Sequence, residues 1–198
     1  MTADNVIGVV GCGFMGLGLL RCLIASPARL RVGFDVRPDR LQLARENGAD
    51  AAFDVDSPQL HQALEGLVRR RPMRTTFGSS SAANGPFDVV FEAAGDPRAL
   101  DMAAQLLRVG GTLVMFGFQH GRVLVDAQMW HLKGIRVLNA SPMIAADFHP
   151  IFYRTVGLVE RGVVDMDGLI THRTSLERVD STLEMSDRPE YLKGVVFF

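Results

Sequence analysis

Cysteine is scarce in this sequence, with only Cys12 and Cys22 among 198 residues. Two thiols make no disulfide framework, and in a reducing compartment both stay free. Neither sign of charge dominates. The formal net charge is -1, which leaves no broad field to attract nucleic acid or an anionic membrane. Arg69, Arg70 and Arg71 form the one basic cluster, which reads as a solvated helix end or loop. No apolar run approaches the ~20 uncharged residues that span a bilayer. The opening MTADNVIGVVG lacks a basic segment followed by an apolar one, so no secretory leader is expected. The expected setting is the cytoplasm, with no membrane or nucleic-acid partner. Histidines 61, 120, 131, 149 and 172 are scattered, and no Cys/His spacing suggests a zinc site. No internal repeat is apparent.

What the sequence does have is an alternation of short apolar runs and amphipathic segments. That pattern belongs to βαβ units and a parallel sheet. Val6 to Val10 suits a strand buried on both faces, and a helix follows through Leu19, Leu20, Leu23 and Ile24. A second strand, Leu30 to Phe34, ends at Asp35. A helix opening at Pro38 and closing at Gly48 comes next. Leu60, Leu64, Leu67 and Val68 mark one face of a third helix. The Ser/Gly/Pro-rich stretch from Arg71 to Pro86 reads as a long surface loop. FDVVFEAAG (Phe87 to Gly95) is a further buried strand, and Asp96 caps the helix after it. Gly110 and Gly111 are expected to end that helix, with TLVMFGF as the fifth strand and Ile135 to Leu138 as the sixth. Beyond residue 145, a helix ended by Gly162, a strand at Leu169 to His172, a short helix at Leu176 to Met185 and the strand-forming GVVFF are expected. The expected organisation is a six-stranded, doubly wound α/β domain of the Rossmann type over 1–145. A short helix/strand extension over 146–198 packs on it or on a partner chain.

Gly11, Gly13 and Gly16 spell G-x-G-x-x-G as GCGFMG between the first strand and its helix. In such a turn the first glycine permits the bend and the second admits the pyrophosphate. The third lets helix and strand pack closely, with the helix N-terminus facing the phosphates. Asp35 ends the second strand where a carboxylate can accept hydrogen bonds from the ribose hydroxyls. Its charge opposes a 2′-phosphate, so NAD is favoured over NADP, although Arg37 and Arg40 soften that preference.

Beyond this fingerprint, FDVVFEAAG, LLRVGGTLVMFG, LKGIRVLN and LITHRTSLERVDSTLE resemble the medium-chain dehydrogenase/reductase family, the zinc-type alcohol dehydrogenases and their relatives. The resemblance runs from about Val6 to Phe198. It implies that Gly11, Gly13, Phe14, Met15 and Gly16 meet the pyrophosphate and that Asp35 and Arg40 meet the adenosine ribose. It further implies that Ala94 and Gly95 line the cofactor. Phe116, Gly117 and Phe118, with Leu138, Asn139 and Ala140, would border the nicotinamide. A homodimer is implied through the edge strand Ile135 to Leu138. Family members carry an N-terminal catalytic domain that supplies the zinc ligands. About five residues precede the first strand here, so that domain and its zinc are expected to be absent, and the tail from Gly168 to pack elsewhere.

Candidates for chemistry sit beyond the strands' carboxyl ends. His120 follows the fifth strand and could exchange a proton with a hydroxyl or carbonyl. Ser141 and His149 flank the loop after the sixth strand, and Tyr153 lies on the next helix. Each also has a plain reading as an exposed loop or packing residue. Cys12 reads as a small turn residue rather than a nucleophile, and His172 as structural. The leading expectation is a zinc-free, NAD-dependent oxidoreductase acting on a small alcohol or carbonyl, or using NAD transiently in epimerisation, elimination or cyclisation. The alternatives are a cofactor-binding subunit whose catalytic partner is a separate chain, and a repurposed, non-redox Rossmann module. A hydroxyacid-dehydrogenase-type Rossmann domain also fits the GFMG turn, but the strand-like tail argues against it.

Overall fold

The computed structural model describes residues 1–67, 85–141, 147–186 and 188–198. The Arg69–Arg71 cluster, Val68 and most of the expected Ser/Gly/Pro loop lie outside them. Six parallel strands form the main sheet: β1 (Val6–Val10), β2 (Leu30–Asp35), β3 (Ala51–Asp54), β4 (Phe87–Glu92), β5 (Leu107–Met115) and β6 (Arg136–Asn139). Their spatial order is β3-β2-β1-β4-β5-β6. The connection changes direction between β1 and β4, which opens a crevice at the carboxyl ends of those two strands.

Every residue of β1 is buried, because apolar layers cover both faces of the sheet. On one face α1 (Phe14–Ile24) and α2 (Pro38–Glu46) set Leu17, Leu20, Leu41 and Ala44 against Ile7 and Val9. On the other, α3 (Leu60–Leu67) and α4 (Pro97–Leu106) set Leu60, Leu64, Leu100 and Leu106 against Val6, Phe34, Phe87 and Leu113. Phe34 and Phe87 meet edge to face, with centroids 5.4 Å apart. Such a pair contributes roughly 0.5–1.5 kcal/mol beyond its buried area.

The α4–β5 junction differs from the sequence expectation. The helix stops at Leu106 and β5 begins at Leu107 without a loop. The glycine pair instead forms an irregularity inside β5: Leu107 lies opposite Phe87 but Thr112 lies opposite Val89. Gly110 takes a φ of +70° there, a left-handed conformation that glycine adopts without penalty. The end of α4 is satisfied by a buried lysine. Lys133, on α5 (Ala127–Lys133), donates to the carbonyls of Ala104, Gln105 and Leu107 at 3.1, 2.7 and 2.9 Å. A cation at a helix C-terminus complements its partial negative charge.

The extension holds α6 (His149–Glu160), β7 (His172–Ser175), α7 (Val179–Leu183) and β8 (Gly194–Phe197). The strand expected at Leu169 to His172 is shifted toward the C-terminus. Leu169 itself is fully buried and, with Leu192, joins the core under α1 and α2. GVVFF finds its partner within the chain, since β8 pairs in parallel with β7. None of α6 is buried; Phe148, Ile151, Phe152, Val156 and Val159 all stand exposed. Among the described residues, no helix is long and apolar enough to cross a membrane.

Candidate functional site

The three glycines of the first turn do different work. Gly11 has a φ of +94°, and a Cβ there would lie 2.7 Å from the Ala94 nitrogen, so the turn presses against the start of the β4–α4 connection. A Cβ on Gly16 would overlap the Gly11 carbonyl oxygen. Gly13 faces open space, with nothing within 4 Å of a Cβ placed on it. It is also the N-cap of α1, where no side chain occupies the helix's first amides and no acidic residue sits in the first turn. A helix start left open in this way can receive an anion by backbone donation and favourable dipole.

Asp35 joins this turn to the second strand. Its Oδ2 accepts the Cys12 N–H at 2.7 Å and its Oδ1 accepts the Arg37 N–H at 3.0 Å. A carboxylate offers about four acceptor positions, so Asp35 keeps capacity for the hydroxyls of a ribose. Cys12 is buried, and its thiol donates weakly to the Phe34 carbonyl at 3.5 Å. Burial, and then the Asp35 carboxylate, push the Cys12 thiol up to about 12, which leaves it without thiolate character at neutral pH.

Arg40 sits beside this edge but turns toward the C-terminal segment. It is buried, and its guanidinium donates to the carbonyls of Tyr191 at 2.6 Å and Pro189 at 3.3 Å. Arg37 also donates to Pro189, at 2.6 Å. The same segment carries Lys193 to 5.1 Å above the Phe14 ring, which adds a cation next to the glycine turn. Met15, the next residue of that turn, is exposed.

Across the crevice, the residues expected near the nicotinamide cluster around one the motif reading passed over. Glu92, the last residue of β4, is fully buried. Its Oε1 accepts the N–H groups of Ala94 and Gly95, both at 2.8 Å, and its Oε2 accepts from Gln119 at 3.0 Å. Its main-chain oxygen accepts from Phe116 at 2.9 Å and Gly117 at 2.6 Å. Phe118 is exposed at the rim. Asn139, the last residue of β6, and Ala140 after it are exposed, with the Ala140 N–H bonded to the Met115 carbonyl at 2.9 Å. The available signal for Glu92 was an acidic residue closing a strand of apolar ones.

The catalytic candidates keep to their own loops and helices. His120 is exposed and packs edge-on against Phe118, with centroids 4.9 Å apart. His149 is exposed, its ring nitrogen 3.1 Å from Asp147. Tyr153 is exposed beside Phe152 on α6, and Ser141 is half-buried just after β6. Among the described residues, no group of three or more His, Cys, Asp or Glu side chains could hold a metal ion.

Residues 15–151 match the family model of the zinc-binding dehydrogenases. L-Threonine 3-dehydrogenase of Francisella philomiragia is 26% identical over 185 residues, covering 93% of this chain and 50% of that protein. A short chain alcohol dehydrogenase from Escherichia coli CFT073, complexed with NADH, superposes at a TM-score of 0.79 with 20% identity, over 100% of this chain and 53% of that one. A Sinorhizobium meliloti 1021 protein described as a zinc-binding dehydrogenase and bound to NADP gives 0.77 with 23% identity, over 100% and 53%. The chain thus spans about half the length of these relatives. The strand order, the glycine turn and the extent of the family match agree: this chain belongs to the zinc-binding dehydrogenases of the medium-chain dehydrogenase/reductase type.

Proposed function

We propose that this chain provides the NAD-binding half of an oxidoreductase acting on a small alcohol or carbonyl compound. The observation that carries the reading is Asp35. Its carboxylate accepts from Cys12 and Arg37 at the edge of an open, uncapped helix start. That geometry suits two ribose hydroxyls and a pyrophosphate, and the Asp35 charge disfavours a 2′-phosphate, a preference that the nearby Arg37 and Arg40 soften. Bound NAD would supply the hydride-accepting nicotinamide. The chain's own contribution is to hold the pyrophosphate on the α1 amides, fix the ribose at Asp35, and set the ring between the Ala94–Gly95 and Phe116–Phe118 turns. In a zinc-free site of this kind, a substrate oxygen would have to be polarised by N–H or side-chain donors. Titration calorimetry with NAD, NADH, NADP and NADPH tests the reading. Binding of NAD or NADH supports it, whereas no heat with any of the four removes it.

A second reading is favoured by α6 and its N-cap, where the exposed Phe148, Ile151, Phe152, Val156 and Val159 form an apolar strip unusual for a free surface. In this reading a catalytic domain or a separate catalytic chain covers that strip, and the present chain serves as the cofactor-binding subunit. The exposed edge strand β6, with Leu138 uncovered, is the surface on which we place a homodimer. Light scattering at increasing concentration, with Leu138→Lys for comparison, tests that placement. A cytoplasmic setting goes with either reading.

A further inference from the structure

We propose that Glu92 is a positioning residue that sets the nicotinamide end of the site by tying two turns into one unit. The inference rests on the dinucleotide reading above. Five donors converge on this residue: the N–H groups of Ala94 and Gly95 and the Gln119 amide on its carboxylate, and the N–H groups of Phe116 and Gly117 on its carbonyl. The first pair belongs to the β4–α4 turn and the others to the segment after β5. No other described residue is hydrogen-bonded to both turns in this way.

The arrangement has no slack. A Cβ on Gly117 would lie 2.5 Å from the Gly95 nitrogen and 2.7 Å from Glu92 Oε2. One on Gly95, which has a φ of +71°, would lie 2.7 Å from the Phe118 carbonyl oxygen. The backbones are therefore in contact, and the carboxylate fills the remaining space. Glu92 is fully buried, and N–H donors rather than a cation compensate its carboxylate among the described residues. Buried acceptors satisfied by fixed donors hold those donors tightly, because any movement leaves a desolvated polar group unmatched. The two turns that would border the nicotinamide thus cannot shift independently, while the Asp35 side of the crevice is braced by its own bonds to Cys12 and Arg37.

Gln119 adds a feature that separates positioning from mere stability. Its Oε1 is buried without a hydrogen-bond partner. In Glu92→Gln the new amide can still accept from Ala94 and Gly95, and a flip of Gln119 presents that oxygen to the new NH₂ group. The conservative variant should therefore retain the site, whereas Glu92→Ala releases both turns.

The test compares NADH with ADP-ribose, which lacks the nicotinamide ring, in calorimetry on the full chain. In Glu92→Ala, NADH affinity should fall about tenfold or more, the scale of one to two lost hydrogen bonds. ADP-ribose affinity should change by less than about threefold, and Glu92→Gln should stay near wild type for both ligands. The blue shift of bound NADH fluorescence should shrink in Glu92→Ala alone. If Glu92→Ala does not fold, Glu92→Asp, one methylene too short to reach both turns, takes its place with the same expected split. Equal losses for both ligands, or no loss for either, would overturn the inference while leaving the dinucleotide reading intact. Wild-type chain that binds neither ligand would overturn both.

Discussion

The carboxylate of Asp35 accepts the backbone N–H of Cys12 at 2.7 Å, so the residue expected to hold the ribose also shapes the turn that would hold the phosphates. The two roles separate in a pair of substitutions. Asp35→Asn keeps an oxygen for Cys12 but loses the charge. NAD affinity should drop about 10- to 100-fold, the scale of a hydrogen bond to a charged group, and the preference against NADP should narrow. Asp35→Ala should lower NAD affinity further and reduce the melting temperature. Calorimetry and thermal unfolding of both variants check this. Retention of wild-type affinity in Asp35→Ala would place the ribose elsewhere.

The glycines of the turn should fail in different ways. Gly16→Ala puts a methyl onto the Gly11 carbonyl oxygen, a backbone atom that cannot swing aside, so the fold should lose several kcal/mol, about 1–3 or more for overpacking. Gly13→Ala meets nothing in the protein and should melt within a degree or two of wild type, about the effect of a neutral surface change. Its methyl projects into the space read as the pyrophosphate's, so its NADH affinity should nonetheless fall at least about tenfold. Unfolding curves and NADH titrations on both proteins distinguish the cases. An unaltered NADH affinity in Gly13→Ala would mean that the phosphates approach from another side.

These contrasts show which parts of the molecule were legible in sequence. The strand, glycine turn and helix from Val6 to Ile24, and Asp35 after them, are local: spacing alone fixes their relation. Arg40 was legible as a residue but not in its partner, because the Tyr191 carbonyl lies 151 positions away and no periodicity encodes such a contact. Glu92 was hidden for a different reason. Within FDVVFE it reads as the polar end of a strand, and only the folded approach of the two turns turns its carboxylate inward. The glycine pair at 110 and 111 reads as a helix end in sequence, whereas the end of α4 is satisfied by Lys133, from a helix later in the chain that no local signal links to it. His120, Ser141, His149 and Tyr153 shared only a position near strand ends, which brings residues to the same rim without orienting them toward one atom.

Arg40 should act on the C-terminal segment as well as on the cofactor edge. Its side chain is buried and bonded to the carbonyls of Tyr191 and Pro189. Arg40→Leu preserves much of the apolar stem but removes charge-assisted bonds worth about 1.5–3 kcal/mol. The segment from Pro189 to Lys193 should then exchange its amide hydrogens faster and become sensitive to proteases, with the sheet core unaffected. Exchange mass spectrometry over 188–198 measures this directly. Unchanged protection there would show that Leu192, buried under α2, anchors the segment without the arginine.

Cys12 should give the protein a distinctive alkaline sensitivity. Burial, and then the neighbouring Asp35 carboxylate, push the thiol's pKa up to about 12 from an ordinary value of 9.0. Below pH 9 the folded and unfolded chains both keep the proton, and the stabilising effect of the buried thiol is complete. Above it the unfolded chain releases its proton while the folded chain does not. The folded state then binds more protons, and stability falls as pH rises toward the folded pKa. The slope approaches about 1.4 kcal/mol per pH unit for one group. Denaturant unfolding of wild type and Cys12→Ala between pH 7 and 11 isolates this contribution, because the other titrating groups are common to both proteins. The stability difference between them should be flat to pH 9 and then close as pH rises. In the same range a thiol reagent should modify the exposed Cys22 and leave Cys12 protected until the chain unfolds. Rapid modification of both thiols in the folded protein at pH 8 would show that the glycine turn opens readily, and that Asp35 does not hold it closed.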